Sequence, residues 1–441
     1  MFENRDRLAR SPPHDLALSC LEAGIEAAHP RHVVAEGVAL DGDRLRVADA
    51  SYDLDAYDEV LVVGGGKAAA QVAVALEAIL GDRIDGGVVV TNDPEETDRV
   101  TVVEGDHPVP SERGVAGARQ VLTTASEAGD RTLVLAVLTG GASALLPAPV
   151  TAVSLDDLRT TTERLLESGA TIDEINAVRK HLSIIKGGQM ARTADPATVV
   201  GLLFSDVVGD DPGVIGSGPT APDPTTFEDA FTVLARHSVG VPDAVSERIE
   251  AGTRGEHGET PGADADCFER VDNHVLANAW TAIAAAREIA REGDHRPLVL
   301  SSRIRGEASE AATAHVAVAE ECLATGNPVE PPAVVLSGGE TTVTVRGDGE
   351  GGPNQEFALS AALDLPEGAV LATADTDGID GVSDAAGALV DADTVPDRVA
   401  AERALIHNDA YPYLDDRDAL LVSGPTGTNV NDLRVLVVGS R

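Results

Sequence analysis

EVLVVGGGKAAAQVAVALEAIL, residues 59–80, decides how the chain is read. EVLVVG (59–64) is an apolar run of strand length, and KAAAQVAVALEAIL (67–80) reads as a helix. Between them stand three glycines. A strand, a Gly-rich turn and a helix form an anion-binding arrangement. Glycine lets the backbone approach the anion, and the helix N-terminus presents N–H groups and a positive dipole. The residue after the glycines is Lys67. The chain has 33 basic residues, of which only Lys67, Lys180 and Lys186 are lysines. A lysine kept in this turn points to a negatively charged ligand.

Short apolar runs and helical stretches alternate outward from this unit. GGVVVT (86–91), VTVV (100–103), TLVLAVL (132–138) and TVVGLLFS (198–205) read as strands. Residues 114–128, 154–168, 172–182 and 187–193 read as helices. This alternation predicts a mostly parallel α/β sheet. A helix over 14–28 places Leu18, Leu21, Ile25 and Ala28 on one face, and a hairpin turning at Asp41-Gly42 follows it. GTRGEHGETPGADAD (252–266) is polar and Gly-rich, as expected of a linker or exposed loop. Beyond it come a helix (275–292), a strand (297–301), a helix (306–324) and the strand-rich runs AVVLSG, TTVTVRG, AVLATA, ALLVSG and LRVLVVG. The expected division is a domain over 1–250, a linker over 251–269, and a smaller α/β domain with a mixed sheet over 270–441.

Composition narrows the function. The 441 residues carry 74 acidic and 33 basic side chains, a net charge of −41. Such a surface repels nucleic acid and anionic membranes. With lysine so scarce, it suggests a salt-rich cytosol. Aromatic residues make up 2%, so Val, Leu, Ile and Ala must build the cores. Cys20, Cys267 and Cys322 are far apart and form no CxxC pair, so neither a disulfide framework nor a zinc site is expected. MFENRDRLARSPPHD contains acids and lacks the apolar stretch of a signal peptide, and no apolar run approaches the roughly 18 residues of a membrane span. The expectation is a soluble cytoplasmic protein acting on a small molecule. The sequence leaves a homo-oligomer open.

Two phosphate-binding patterns can be set against residues 64–70. GxxxxGK[ST] fails, because Ala68 follows the lysine. GxGxxA is met by Gly64, Gly66 and Ala69, but Asp93 is far downstream for a ribose contact. The other two lysines lie in INAVRKHLSIIKGG (175–188), where Arg179, Lys180, His181 and Lys186 form the densest basic stretch. LTGGASALLP (138–147) offers a second Gly turn with the hydroxyls of Thr139 and Ser143. FSDVVGDDPGVIGSGPTAPDPTT (204–226) starts at a strand end, where α/β proteins place ligands. It holds Asp206, Asp210, Asp211, Ser217 and Thr220. The second half supplies Asn354, Gln355 and Glu356 in GEGGPNQEFALS (349–360), then Asp375, Asp377 and Asp380 in TADTDGIDGVSDAAG (373–387), and Asn431 and Asp432 in SGPTGTNVNDL (423–433).

In order, GGGKAAA, GDHPVPSE (105–112), NAVRKHLSIIKGG (176–188), SDVVGDDPGVIGSGPTAPDPTTF (205–227), RGEASEAA (305–312), SGGETTV (337–343), TDGIDG (376–381) and GPTGTNVND (424–432) resemble the class II glycerate kinases. The likeness runs from about residue 14 to 438. It implies a Rossmann-like N-terminal domain, a C-terminal MOFRL domain and an active site in the cleft between them. It further implies phosphorylation of D-glycerate by ATP with Mg²⁺, with 2-phosphoglycerate as the usual product. Lys67 matches the family's lysine in the first Gly loop.

On that reading Lys67, Asp206 and Arg179 are catalytic. Lys186, Ser217, Thr220 and Asn354 bind substrate. Gly64, Gly65, Gly66, Lys67, Gly140, Gly141 and Ser143 bind nucleotide, with the amides of Gly65 and Gly66 on its phosphates. Asp206 and Asp377 hold the metal, and Asp206, His107 and Asp377 are the candidates for general base. Two departures stand out. Ala142 replaces a glycine of the second Gly loop. Pro353 stands where the family has a functional arginine, a role that can be worth several powers of ten in phosphoryl transfer. Arg303, Arg305 and Arg346 are the nearby arginines. The rival functions are an NAD(P)H-dependent hydroxypyruvate reductase and a metabolite sensor without turnover.

The charge balance yields one prediction. Self-repulsion among surface carboxylates is screened by salt. Thermal melting of the purified protein should therefore shift upward by several degrees between dilute buffer and molar KCl. Full stability in dilute buffer would remove the salt-adapted reading.

Overall fold

The computed structural model describes residues 1–439. The chain divides into two compact units, residues 33–276 and a second built from residues 1–32 together with 277 onward. The first opens with a three-stranded antiparallel meander, β1 (Val38–Asp41), β2 (Arg44–Val47) and β3 (Ala50–Asp53). The Asp41-Gly42 turn lies where it was expected, in register Asp41↔Arg44.

A six-stranded sheet follows: β4 (Glu59–Gly65), β5 (Gly86–Thr91), β6 (Thr101–Glu104), β7 (Thr132–Leu138), β8 (Thr198–Phe204) and β9 (Val271–Ala277). Its order is β6-β5-β4-β7-β8-β9, and β4, β5, β6, β7 and β8 pair in parallel. This is the doubly wound order, with its switch point between β4 and β7. Every residue of β7 is buried, as expected of a strand covered on both faces. Helices Ala69–Leu80 and Glu112–Glu127 match the sequence reading to within two residues. Capping boxes at Ser154/Asp157 and Thr171/Glu174 start helices Leu155–Glu167 and Ile172–His181. Helices Phe227–Arg236 and Asp243–Thr253, absent from the sequence reading, complete a satellite core around Leu165, Val178, Phe227 and Ile249.

The second unit carries a mixed sheet of β10 (Arg296–Ile304), β11 (Ala333–Gly339), β12 (Ala369–Asp375), β13 (Gly387–Asp391), β14 (Leu420–Leu421) and β15 (Asp432–Val438). The order is β10-β11-β15-β12-β13-β14. Only β10 and β11 run parallel. No described helix is long and apolar enough to cross a membrane.

Three expectations change. The first 32 residues belong to the second unit, because helix Pro12–Ala27 buries Leu18, Leu21 and Ile25 against helix Ala279–Glu292 and β15. Its end is tied by Thr428 Oγ1, which donates to the Ala28 carbonyl at 2.6 Å. Residues 251–269 fold within the first unit rather than linking two domains. Thr260 Oγ1 donates to Asp223 at 2.9 Å, and Glu259 accepts from the Phe227 amide at 3.0 Å. TTVTVRG (341–347) is not a strand. The Thr341 amide donates to Asp432, and the amides of Arg346 and Gly347 donate to Asn408, so side chains take the donors a ladder would use.

A close approach at the edge of the first sheet is made at Gly66. It has φ +137°, and a Cβ there would lie 2.1 Å from Thr139 Oγ1. Gly66→Ala should cost at least about 2 kcal/mol, because both the φ value and the clash oppose it. Urea unfolding against wild type checks this, and a change within about 0.5 kcal/mol would show that the junction can relax.

Candidate active site

The site is built at the switch point, where the loops after β4 and β7 meet. The Lys67 amide donates to the Gly140 carbonyl at 2.8 Å, and the Ala68 amide to Thr139 Oγ1 at 3.1 Å. Thr139 returns a bond from its own amide to the Gly65 carbonyl at 3.2 Å. Thr91, at the end of β5, donates through Oγ1 to the Lys67 carbonyl at 2.7 Å. The turn is thereby closed on itself.

The turn's own bonds bear on the expected phosphate cradle. Gly64 and Gly65 lie inside β4, and the Gly66 amide is committed to the Val90 carbonyl at 3.0 Å. These glycines let two strand ends approach closely, and the functional group the turn offers is the Lys67 side chain. Its stem lies beside Gly141, whose missing Cβ would sit 3.1 Å from Lys67 Cγ and 2.9 Å from His107 Cδ2. Gly141, at φ +79°, then starts the short helix Ala142–Leu145. Ala142 is buried and adopts a helical conformation there, so its loss of glycine freedom costs nothing.

Ser143 on that helix joins a line of polar groups. Lys186 Nζ donates to the Ser143 carbonyl at 2.8 Å and to Ser143 Oγ at 3.1 Å. Ser143 Oγ meets Ser217 Oγ at 2.9 Å, and Ser217 Oγ donates to Asn176 Oδ1 at 3.0 Å. A recess of about 90 Å³ opens beside them, lined by Ser143, Arg179 and Lys186 with Pro108, Pro110 and Leu158. Lys186 is 3% exposed. Among the described residues neither Lys186 nor Arg179 has a carboxylate partner, in a chain where carboxylates outnumber cations more than two to one. Burial, and then the neighbouring Arg179, push the Lys186 ammonium down to about 7. Burial also lowers Arg179. A buried ammonium and a part-buried guanidinium with no carboxylate partner among the described residues, beside a chain of hydroxyls, have the chemistry to receive an anion.

Other expected residues fall elsewhere. Thr220 is buried and donates to Asn273 Oδ1 at 2.7 Å, so it fixes the loop that carries Ser217. Lys180 forms a buried pair with Asp223 at 3.2 Å. Asp206 lies just past the end of β8 in the first unit, half-buried.

Asn354 and Asp377 belong to the second unit. Asn354 Nδ2 donates to Asp432 at 2.6 Å and to Asp380 at 3.3 Å, and its Oδ1 accepts from Thr373. It is 1% exposed and ties these groups together within the second unit. Asp380 accepts from the amides of Asn354 and Gln355, capping helix Pro353–Ala362 from outside it. Burial raises Asp380 to about 7 against those bonds. Pro353 occupies the first helical position, where its missing N–H costs nothing. Asp375 is raised well above the ordinary carboxylate range, by burial first and then by Asp377 and Asp432. Among the described residues no three His, Cys, Asp or Glu side chains form a ready metal cage. Mg²⁺ commonly needs only one or two carboxylates alongside substrate phosphates, and the hard oxygens around Asp375 and Asp377 fit that requirement.

Sequence reasoning missed Asn176, which lies inside the basic stretch but carries no charge to draw notice. It also missed the role of Asp432, whose pairing with Asn354 spans 78 residues.

Lys186 provides a pH test. Its folded value of about 7 lies below the unfolded 10.5, so between them the unfolded chain binds the extra proton and stability rises with pH. The stability of wild type relative to Lys186→Met should therefore climb from pH 7 to 10 in urea titrations. A constant difference would show that Lys186 stays charged in the fold.

Comparison with known proteins gives the family. Residues 16–250 match the model described as a domain of unknown function, DUF4147, and residues 333–432 match the MOFRL family. The chain is 39% identical to a glycerate 2-kinase of Pyrococcus horikoshii, over 97% of this chain and 98% of that protein. It is 38% identical to a D-glycerate 2-kinase of Thermotoga maritima, over 95% and 96% respectively. An Agrobacterium vitis protein provisionally named hydroxypyruvate reductase is 41% identical over 86% of this chain and 87% of its own. A crystal structure of Thermotoga maritima glycerate kinase superposes with a TM-score of 0.83 at 37% identity, covering 96% of this chain and 98% of that one. The chain belongs to the glycerate kinase family that joins a DUF4147 domain to a C-terminal MOFRL domain.

Proposed function

We propose that this enzyme transfers the γ-phosphoryl group of ATP to D-glycerate, giving 2-phosphoglycerate. The observation that carries the reading is the pair of buried Lys186 and part-buried Arg179, without carboxylate partners among the described residues, beside Ser143 at the switch point. Phosphoryl transfer is achieved mainly by positioning and charge neutralisation, and such a pair supplies both. Arg179 and Lys186 hold the glycerate carboxylate or the γ-phosphate. Lys67, set by the closed turn between β4 and its helix, adds positive charge against the phosphates. Ser143 and Ser217 supply hydroxyl contacts. Asp206 and Asp377 are assigned to Mg²⁺ or to orienting the acceptor hydroxyl. Mg²⁺, when bound, neutralises charge on the phosphate oxygens.

Arg346 is our choice to offset the arginine missing at Pro353. Burial raises Glu356, one turn along the helix that Pro353 begins, and Arg346 lies close enough to oppose that rise. The printed name of the Agrobacterium vitis relative keeps a reductase reading in view. Against it, the amides of Gly66 and Lys67, which a dinucleotide pyrophosphate would need, are bonded to Val90 and Gly140.

The deciding assay is ATP- and Mg²⁺-dependent phosphorylation of D-glycerate in molar KCl, with the product identified by NMR. Formation of 2-phosphoglycerate is expected, and 3-phosphoglycerate would overturn the regiochemistry. Lys67→Ala should lower kcat by roughly 100-fold or more while leaving the melting temperature unchanged. Oxidation of NADH or NADPH by hydroxypyruvate, followed at 340 nm without coupling enzymes and with no kinase activity, would instead establish the reductase. ATP binding without turnover that Pro353→Arg fails to restore would indicate a sensor.

A further inference from the structure

We propose that a second cavity of about 590 Å³, beside helix Ile172–His181, receives the nucleoside of the phosphoryl donor. The inference rests on the kinase reading for the identity of the ligand and on the cavity itself for its place. The volume falls within the range of small-molecule sites, roughly 300–1,000 Å³.

Its walls are flat and apolar, formed by Pro212, Pro222 and Pro224 with Val214. Its polar groups are of two kinds. At the buried side stand donors. Asn176 is 4% exposed, its Oδ1 accepts from Ser217, and its Nδ2 has no partner among the described residues. Lys180 is 5% exposed and gives one of its three N–H groups to Asp223 at 3.2 Å. Asp223 is itself fixed by Thr225 Oγ1 at 2.8 Å and Thr260 Oγ1 at 2.9 Å, so the ammonium is held in place with donors to spare. At the exposed side stand acceptors, the carboxylates of Asp173 and Asp211. A flat heteroaromatic ring with acceptor nitrogens suits the walls and the buried donors. Vicinal sugar hydroxyls suit the two carboxylates. Base and sugar together make a nucleoside.

Helix geometry supplies the direction. At roughly 100° per residue, Arg179 stands about 60° to one side of Asn176 and Lys180 about 40° to the other. Asn176 therefore divides the cavity from the Arg179–Lys186 recess. Its carbonyl reaches that recess through Ser217 and Ser143, in steps of 3.0, 2.9 and 3.1 Å to Lys186 Nζ. A nucleotide with its base in the cavity extends its phosphates past Asn176 toward Arg179 and Lys186. The Gly turn after β4 then shapes the phosphate end without touching the base.

The test uses the full chain in molar KCl. Photolabelling with 8-azido-ADP and peptide mapping should place the label within residues 173–180 or 211–225, and a label elsewhere overturns the proposal. Ala263 lines the cavity from an exposed position, so Ala263→Trp fills the space at little cost to folding. By calorimetry it should weaken ADP binding by roughly tenfold or more, while inorganic tripolyphosphate and D-glycerate bind as to wild type. Unchanged ADP affinity, or equal losses for ADP and tripolyphosphate, overturns the proposal. ADP held in the cavity without phosphorylation of glycerate keeps this site and removes the kinase reading. Turnover with the label elsewhere does the reverse. No ADP binding by wild type removes both.

Discussion

The first unit depends on the contact between two strand ends, where Gly66 lies against Thr139. β4 and β7 are adjacent parallel strands, and the chain must leave both at the same edge of the sheet. A side chain at residue 66 would occupy the space of the Thr139 hydroxyl. With glycine there, Thr139 caps the Ala68 amide and Gly140 accepts from Lys67. The lysine stem is thereby laid beside Gly141, and Ser143 follows one short helical step later. The glycines act through sterics, and the side chains they position carry the charge.

Charge is placed with the same economy. Many surface arginines pair with carboxylates, as expected at a net charge of −41. Such exposed pairs contribute little to stability. Lys186 is buried and Arg179 part-buried, and neither has a carboxylate partner among the described residues. Their mutual repulsion and desolvation are a standing cost in the empty fold, which an anion would relieve. The second unit carries the opposite arrangement, with Asp375 and Asp380 raised by burial and by neighbouring carboxylates.

Much of this was legible in the residues. The alternation of apolar runs and helical stretches gave the parallel sheet, because strands covered on both faces must be apolar throughout. The scarcity of lysine singled out Lys67 and Lys186. Lys180 was drawn in by the same signal, yet its charge is taken by Asp223, a partner 43 residues away. Thr220 and Asn354 looked like ligand contacts because they are polar residues in glycine-rich loops, and both proved to be buried ties. Side-chain chemistry can be read from sequence, but whether a hydrogen bond is already satisfied depends on residues far along the chain.

By itself the sequence determined the family, the strand–turn–helix unit at 59–80 and the set of groups able to meet an anion. Those follow from local rules of periodicity, turn chemistry and residue type. Tertiary structure alone decided that the Gly66 amide faces Val90, that helix Pro12–Ala27 joins the unit that contains the chain's last strand, and that residues 251–269 are packed rather than linking. It also brought Asn176, Ser217, Ser143 and Lys186 into one line. The reason is physical: burial, desolvation and the pairing of donors with acceptors are set by neighbours in space, and no local pattern encodes which distant residue arrives.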